Sequence, residues 1–232
     1  MQPWARGAIG LLLLGAAGAC GSVKEATRKI DWKAPPPGQP GAAARVDDQS
    51  EPRLEGLTGA PAQQPAAGAA LERAKDFSNQ ASQRRAAGDL PGAIELQRQS
   101  VDLRRTALGP GSPDVATAET TLAGLYAAAD QYDDAEPLLR HALAIREQTA
   151  GADARITALS RNNLALLLAA KGQSSEAELL YLQAIAVLEQ ADAADLATVL
   201  ENYAALLDDT GRTDQAETVE QRAALVRASL KP

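Results

Sequence analysis

Chemistry in this chain would have to start from very few groups. Its 232 residues hold one cysteine, Cys20, and one histidine, His141. Nucleophilic catalysis needs a nucleophile beside a base, with a third group holding that base in place. His141 has no serine or cysteine at a fixed spacing and reads as a surface or packing residue. A metal centre needs several converging His, Cys or carboxylate ligands, and one Cys with one His cannot supply a Cys/His cluster. Carboxylates do stand in adjacent pairs, Asp133-Asp134 and Asp208-Asp209. The pattern places both pairs in turns and caps, where acidic groups favour a helix N-terminus. Gly109-Pro110-Gly111 has neither the lysine nor the strand of a phosphate cradle and reads as a turn. No catalytic residue, metal or cofactor is expected.

Composition narrows the remaining classes. The formal net charge is −7 and no basic stripe is visible, which argues against nucleic acid, whose binding leans on clustered Lys and Arg. Hydrophobic residues make up 45% of the chain but aromatics only 3%, so the core must be built from Leu, Ala, Ile and Val. Alanine and leucine favour helix, and no long alternating run of β-branched residues competes.

The elements that position everything else come from a repeat. Gly88-Asp89-Leu90-Pro91-Gly92-Ala93, Asp130-Gln131-Tyr132-Asp133-Asp134-Ala135, Gly172-Gln173-Ser174-Ser175-Glu176-Ala177 and Gly211-Arg212-Thr213-Asp214-Gln215-Ala216 align, and their closing alanines stand 42, 42 and 39 residues apart. A fixed period of this size predicts a solenoid, each unit burying its apolar face against its neighbours. Each unit reads as helix, tight turn, helix. Leu122, Leu125 and Tyr126 form one apolar stripe, Asp133 is the expected N-cap of the following helix, and Gly151 its stop. Pro91 and Pro137 are expected at or near first turns, where a missing N–H costs least.

These residues resemble the tetratricopeptide repeat. The resemblance rests on the order Leu122-Ala123, Tyr126, turn, Ala135, Ala142, and covers about residues 71–229. Asp114-Val115-Ala116-Thr117 through Asn162-Asn163-Leu164-Ala165 looks like the longer kinesin-light-chain variety. The first unit departs from it, with Gln80 where Leu is usual and Arg84 where Tyr is usual. Small residues at Ala123, Ala165 and Ala204, and at Ala135, Ala177 and Ala216, let the two helices of a unit approach closely. The expected fold is all-α: a solenoid of about four units (71–112, 113–152, 153–192, 193–230) within a domain over residues 69–232. An amphipathic bundle without such stacking is the structural alternative. The resemblance implies that the first helix of each unit lines a concave face whose polar positions bind an extended peptide or partner helix. Those positions are Asn79, Thr121, Asn163 and Asn202, preceded by Ser78, Thr120, Asn162 and Glu201. Asparagine offers both donor and acceptor to a peptide backbone. Glu201, Asp208 and Asp209 give the last segment of the groove an acidic character.

The N-terminus reads as an address. Arg6, the apolar run Ile9–Leu14 and small residues ending in Ala17-Gly18-Ala19-Cys20 make a signal peptide over residues 1–19. The last four resemble the bacterial lipobox, with Ala17 where leucine is usual, and this implies lipidation of Cys20. Gly21-Ser22 lacks the aspartate of inner-membrane retention, which by the same resemblance implies an outer-membrane lipoprotein facing the periplasm. Residues 20–68 carry seven of the 13 prolines and few large apolar groups, the composition of a disordered tether.

Together these expectations describe a lipid-anchored interaction module. It would hold a periplasmic or outer-membrane protein or peptide, as assembly factors of envelope complexes do. The alternative is a self-associating scaffold, a homo-oligomer without a peptide ligand.

Overall fold

The structure, a computed structural model, describes residues 64–190 and 193–230. The expected signal peptide, Cys20 and the tether as far as residue 63 lie outside them. Eight helices occur among the described residues: α1 Gln64–Ala86, α2 Leu90–Leu108, α3 Pro113–Ala128, α4 Tyr132–Ala150, α5 Arg155–Ala170, α6 Ser174–Leu188, α7 Ala193–Asp209 and α8 Thr213–Ser229. Helix α1 starts ahead of the expected domain boundary at residue 69. None of these helices is long and apolar enough to cross a membrane.

The four aligned segments are one turn built four times. Gly88, Gly172 and Gly211 have φ of +82°, +78° and +78°, the left-handed conformation that lacks a penalty only for glycine. In the second unit Asp130 takes that conformation, at φ +59°. In each turn the next residue's N–H donates to the carbonyl five positions back: Asp89 to Arg84, Gln131 to Tyr126, Gln173 to Leu168 and Arg212 to Leu207, at 2.8–2.9 Å. This six-to-one bond closes the last helical turn and reverses the chain.

Two details differ from expectation. Helix α4 begins at Tyr132, so Asp133 sits inside its first turn, and Gln131 occupies the N-cap without a side-chain bond. Pro137 lies within α4, one turn later than expected. Its exposed position gives the ring room on the outer surface. Pro91 is in the first turn of α2 and Gly151 caps α4 at φ +92°, both as expected.

Helices pair as α1/α2, α3/α4, α5/α6 and α7/α8, and each pair packs on the next. The closing alanines are why the pairs sit tight: Ala93, Ala135 and Ala177 are 0% exposed and Ala216 3%, and Ala123, Ala165 and Ala204 opposite them are 0%. A larger side chain at these contacts would force the helices apart, an overpacking cost of about 1–3 kcal/mol. Between these seams Leu139, Leu164, Leu167, Leu168, Leu200 and Leu207 fill the core. Helices α5 and α7, the first helices of successive pairs, also meet directly. The first helices therefore form the inner wall of the stack, and the second helices its outer wall.

Candidate partner-binding face

One register recurs on the first helices, exposed on α1, half-buried on α3 and buried at Asn163 and Asn202 on α5 and α7. In register it runs Lys75 and Asn79 on α1, Thr117 and Thr121 on α3, Leu159 and Asn163 on α5, Thr198 and Asn202 on α7. The upper row, Lys75, Thr117, Leu159 and Thr198, was not singled out from sequence. A signal was present, since these residues stand one helical turn before the expected ones.

The expected residues occupy that inner wall, but not as an open ladder. Asn79 is exposed, whereas Asn162, Asn163 and Asn202 are only 3%, 4% and 6% exposed. Their amides bond mainly to one another. Asn202 Nδ2 donates to Asn162 Oδ1 at 2.9 Å across α5 and α7, and Asn162 Nδ2 to Asn163 Oδ1 at 3.4 Å. Thr120, 2% exposed, donates to the Ala116 carbonyl, and Thr121 to the Thr117 carbonyl. The physical reason is polar satisfaction: an amide placed where two helices touch must find a partner there. Two groups are left over. Asn163 Nδ2 and Asn202 Oδ1 have no hydrogen-bond partner among the described residues, and neither is sealed from solvent.

The acidic end is likewise corrected. Glu201 is held by Arg227, whose Nη2 donates to Oε2 at 2.6 Å, so its charge is neutralised within the unit. Asp208 accepts from Thr213 Oγ1 at 3.2 Å. Asp208 and Asp209 end α7 rather than starting a helix. Burial, and then the Asp208 charge, push the Asp209 carboxyl up to about 6.

Charged groups missed in the sequence sit at the junctions between pairs. Glu119, 0% exposed, accepts from Arg105 of α2 at 2.6 Å (Nη2) and is bonded by His141 Nδ1 of α4 at 2.7 Å. His141 is thus a packing histidine on a structural carboxylate. The next junction carries the pair in reversed polarity, Arg161 Nη2 donating to Glu147 at 2.9 Å. Arg146 is buried, donates from Nη1 to Ser160 Oγ at 2.6 Å, and burial lowers its pKa to about 10. The only available signal was charged residues recurring in an otherwise buried register. No group of three or more His, Cys, Asp or Glu that could hold a metal occurs among the described residues.

Helix pairs stacked with their first members inside define an α-solenoid whose inner wall is its natural interaction surface. The sequence profile of the tetratricopeptide repeat matches residues 72–148 and 114–190, and the chain belongs to that family. Members of the family mediate protein–protein interaction or scaffolding and are typically non-catalytic. Among solved structures the chain is similar to BtubC (BKLC) from P. vanneervenii, with 23% identity and a TM-score of 0.62 over 68% of this chain and 64% of that one. It is also similar to a Podosopora anserina protein described as a kinesin light chain with nearly identical TPR-like repeats. There identity is 23% and the TM-score 0.60, over 68% of this chain and 77% of that one. Both likenesses concern the fold. The chain spans less than two thirds of the length of BtubC. No curated protein sequence matches it.

Proposed function

We propose that the chain is a lipid-anchored interaction module of the bacterial envelope, holding a peptide or partner protein on the inner wall of its repeats during assembly of an envelope complex. The supporting observation is the aligned register on four first helices, whose Lys75, Asn79, Thr117, Thr121, Leu159 and Thr198 are exposed or half-buried. Membership of a family whose repeats bind proteins supports the same reading. The anchoring part rests on the lipobox-like run ending at Cys20, and the outer-membrane address on Gly21-Ser22.

The test is photo-crosslinking in cells from Thr121, which reaches solvent on the inner wall, with Arg140 on the outer wall as reference. A defined envelope protein captured from position 121 but not from 140 supports the reading. Equal capture from both positions, or none from 121, sinks it. Mass spectrometry of the mature N-terminus reports separately whether Cys20 carries lipid.

Self-association is the second reading. It is favoured by Leu179 and Leu182 on α6, 61% and 46% exposed. Light scattering on the purified chain distinguishes a stable oligomer from a monomer.

A further inference from the structure

Two exposed leucines on the outer wall break the pattern of this chain's own repeat. Leu179 and Leu182 on α6 are 61% and 46% exposed, and one turn further on Ala186 is exposed as well. Counted from the hairpin alanine, the place of Leu182 belongs to Arg98 on α2, Arg140 on α4 and Gln221 on α8. That of Leu179 belongs to Glu95, Pro137 and Thr218. The core needs neither leucine, because α6 serves it from the opposite side with Ala177, Tyr181, Ala184 and Leu188. An apolar face held in water without a role in the core marks a contact surface.

Its spacing and charge describe the occupant. Ser175, Leu179, Leu182 and Ala186 follow at steps of four, three and four, the seam that lets one helix lie along another. Residues 179–188 hold no charged group, whereas the same span of each other second helix holds two or more. The carboxylates that flank the seam are already neutralised. Arg140 Nη1 donates to Glu176 at 2.8 Å, and Arg222 pairs with Glu189. Glu178 accepts from the Tyr203 hydroxyl at 2.7 Å and pairs with Arg212 at 2.8 Å. A chain of net charge −7 repels its own copies, so two copies meet best where that charge is locally absent. The α6 seam is such a place, and it offers an acidic or basic partner nothing to pair with.

We propose that the α6 seam docks a second copy of this chain, the two α6 helices lying antiparallel about a two-fold axis. This rests on the self-association reading above and names the face it uses. The axis passes between Leu182 and Gln183, which sets Leu179 against the partner's Ala186, large against small, at both ends of the contact. A parallel pair would instead set Leu179 on the partner's Leu179 and align the two helix dipoles unfavourably. One helical seam buries about 400 Å² per partner, half that of a standard interface, so the dimer is weak and the dilute chain monomeric.

The experiment is sedimentation equilibrium on the full chain from about 5 to about 500 μM, over which the mass should rise from monomer towards dimer. Leu182→Lys should weaken the dimer at least about tenfold, since each copy loses an apolar contact and gains a charge. Leu225→Lys, the same change at the 73% exposed leucine of α8, should leave it within about twofold. Thermal melts verify that both variants are folded. In a Cys20→Ser background, a Leu179→Cys chain mixed with an Ala186→Cys chain should form the mixed disulfide faster than either forms its own. Preference of each chain for itself, or equal losses from Leu182→Lys and Leu225→Lys, overturns the proposal. A dimer that Leu182→Lys leaves intact overturns the α6 seam alone and leaves self-association standing. A chain still monomeric at about 500 μM removes both.

Discussion

Asparagine in the middle of a helix costs a few tenths of a kcal/mol in propensity, which makes its presence there a question about partners. The sequence register pairs Asn163 with Asn202, and from that register both look like free groove amides. The structure pairs Asn202 with Asn162 instead, since side chains on facing helices meet at an offset that no single-helix pattern reveals. Exposure was illegible for the same reason: the stripe could be read off the repeat, but how deep α5 and α7 bury it could not. Removing one amide then strands the other. Asn162→Ala leaves Asn202 Nδ2 without its acceptor at a 6% exposed site, and should destabilise the fold by about 1–3 kcal/mol. Asn202→Ala alone should cost a similar amount, and the double variant clearly less than the two together. Urea unfolding of the four proteins measures this; strictly additive losses would mean the bond at 2.9 Å contributes nothing.

The helical hairpin is the element that the sequence announced best. Its turn must place one residue in the left-handed region, and the chemistry of that demand is visible as Gly88, Gly172 and Gly211 at the head of three aligned segments. Hairpin alanines were legible on similar grounds, because only a small side chain lets two helices touch. The start of α4 was less so, since Asp133 is a good cap by type while the helix begins at Tyr132, two residues before the start such a cap implies. Asp130 is the exception in the glycine series. It holds φ +59° as a non-glycine residue, with Oδ1 accepting from the Tyr132 hydroxyl at 2.8 Å on the surface. An exposed hydrogen bond of this kind offsets only part of the left-handed penalty, which is about 1 kcal/mol. Asp130→Gly should therefore stabilise the protein by about 0.5 kcal/mol, visible as a small rise in melting temperature. Gly172→Ala, the reverse change at the equivalent turn, should cost about 1 kcal/mol. A fall in melting temperature on Asp130→Gly would show that the Tyr132 bond outweighs the backbone strain.

At the scale of the whole stack, the residue four places after each hairpin alanine records what each second helix faces. It is Gln97, Leu139, Tyr181 and Glu220 in turn. The first three are buried to 1%, 2% and 1% exposure, while Glu220 on α8 is exposed. Tyr181 packs on Tyr203 of α7 with ring centroids 6.1 Å apart, so its burial depends on the following pair. Helix α8 thus presents an exposed polar residue where α4 and α6 bury Leu139 and Tyr181, and Arg227 stands where α6 has Leu188. Terminal polar faces of this kind keep solenoids soluble. A chain ending after Gln190 would uncover Tyr181 and Ile185, and part of Leu188, which together stabilise the stack by about 5 kcal/mol through burial. Such a chain should bind a hydrophobic dye, melt at lower temperature and associate in light scattering. Adding Tyr181→Glu and Leu188→Arg copies the α8 pattern onto α6 and should return it to a monomer, though a less stable one than the full chain. If the shortened chain without those changes is already monomeric and melts with the full chain, α7 and α8 contribute no cap, and the polar face of α8 has to be explained by a partner instead.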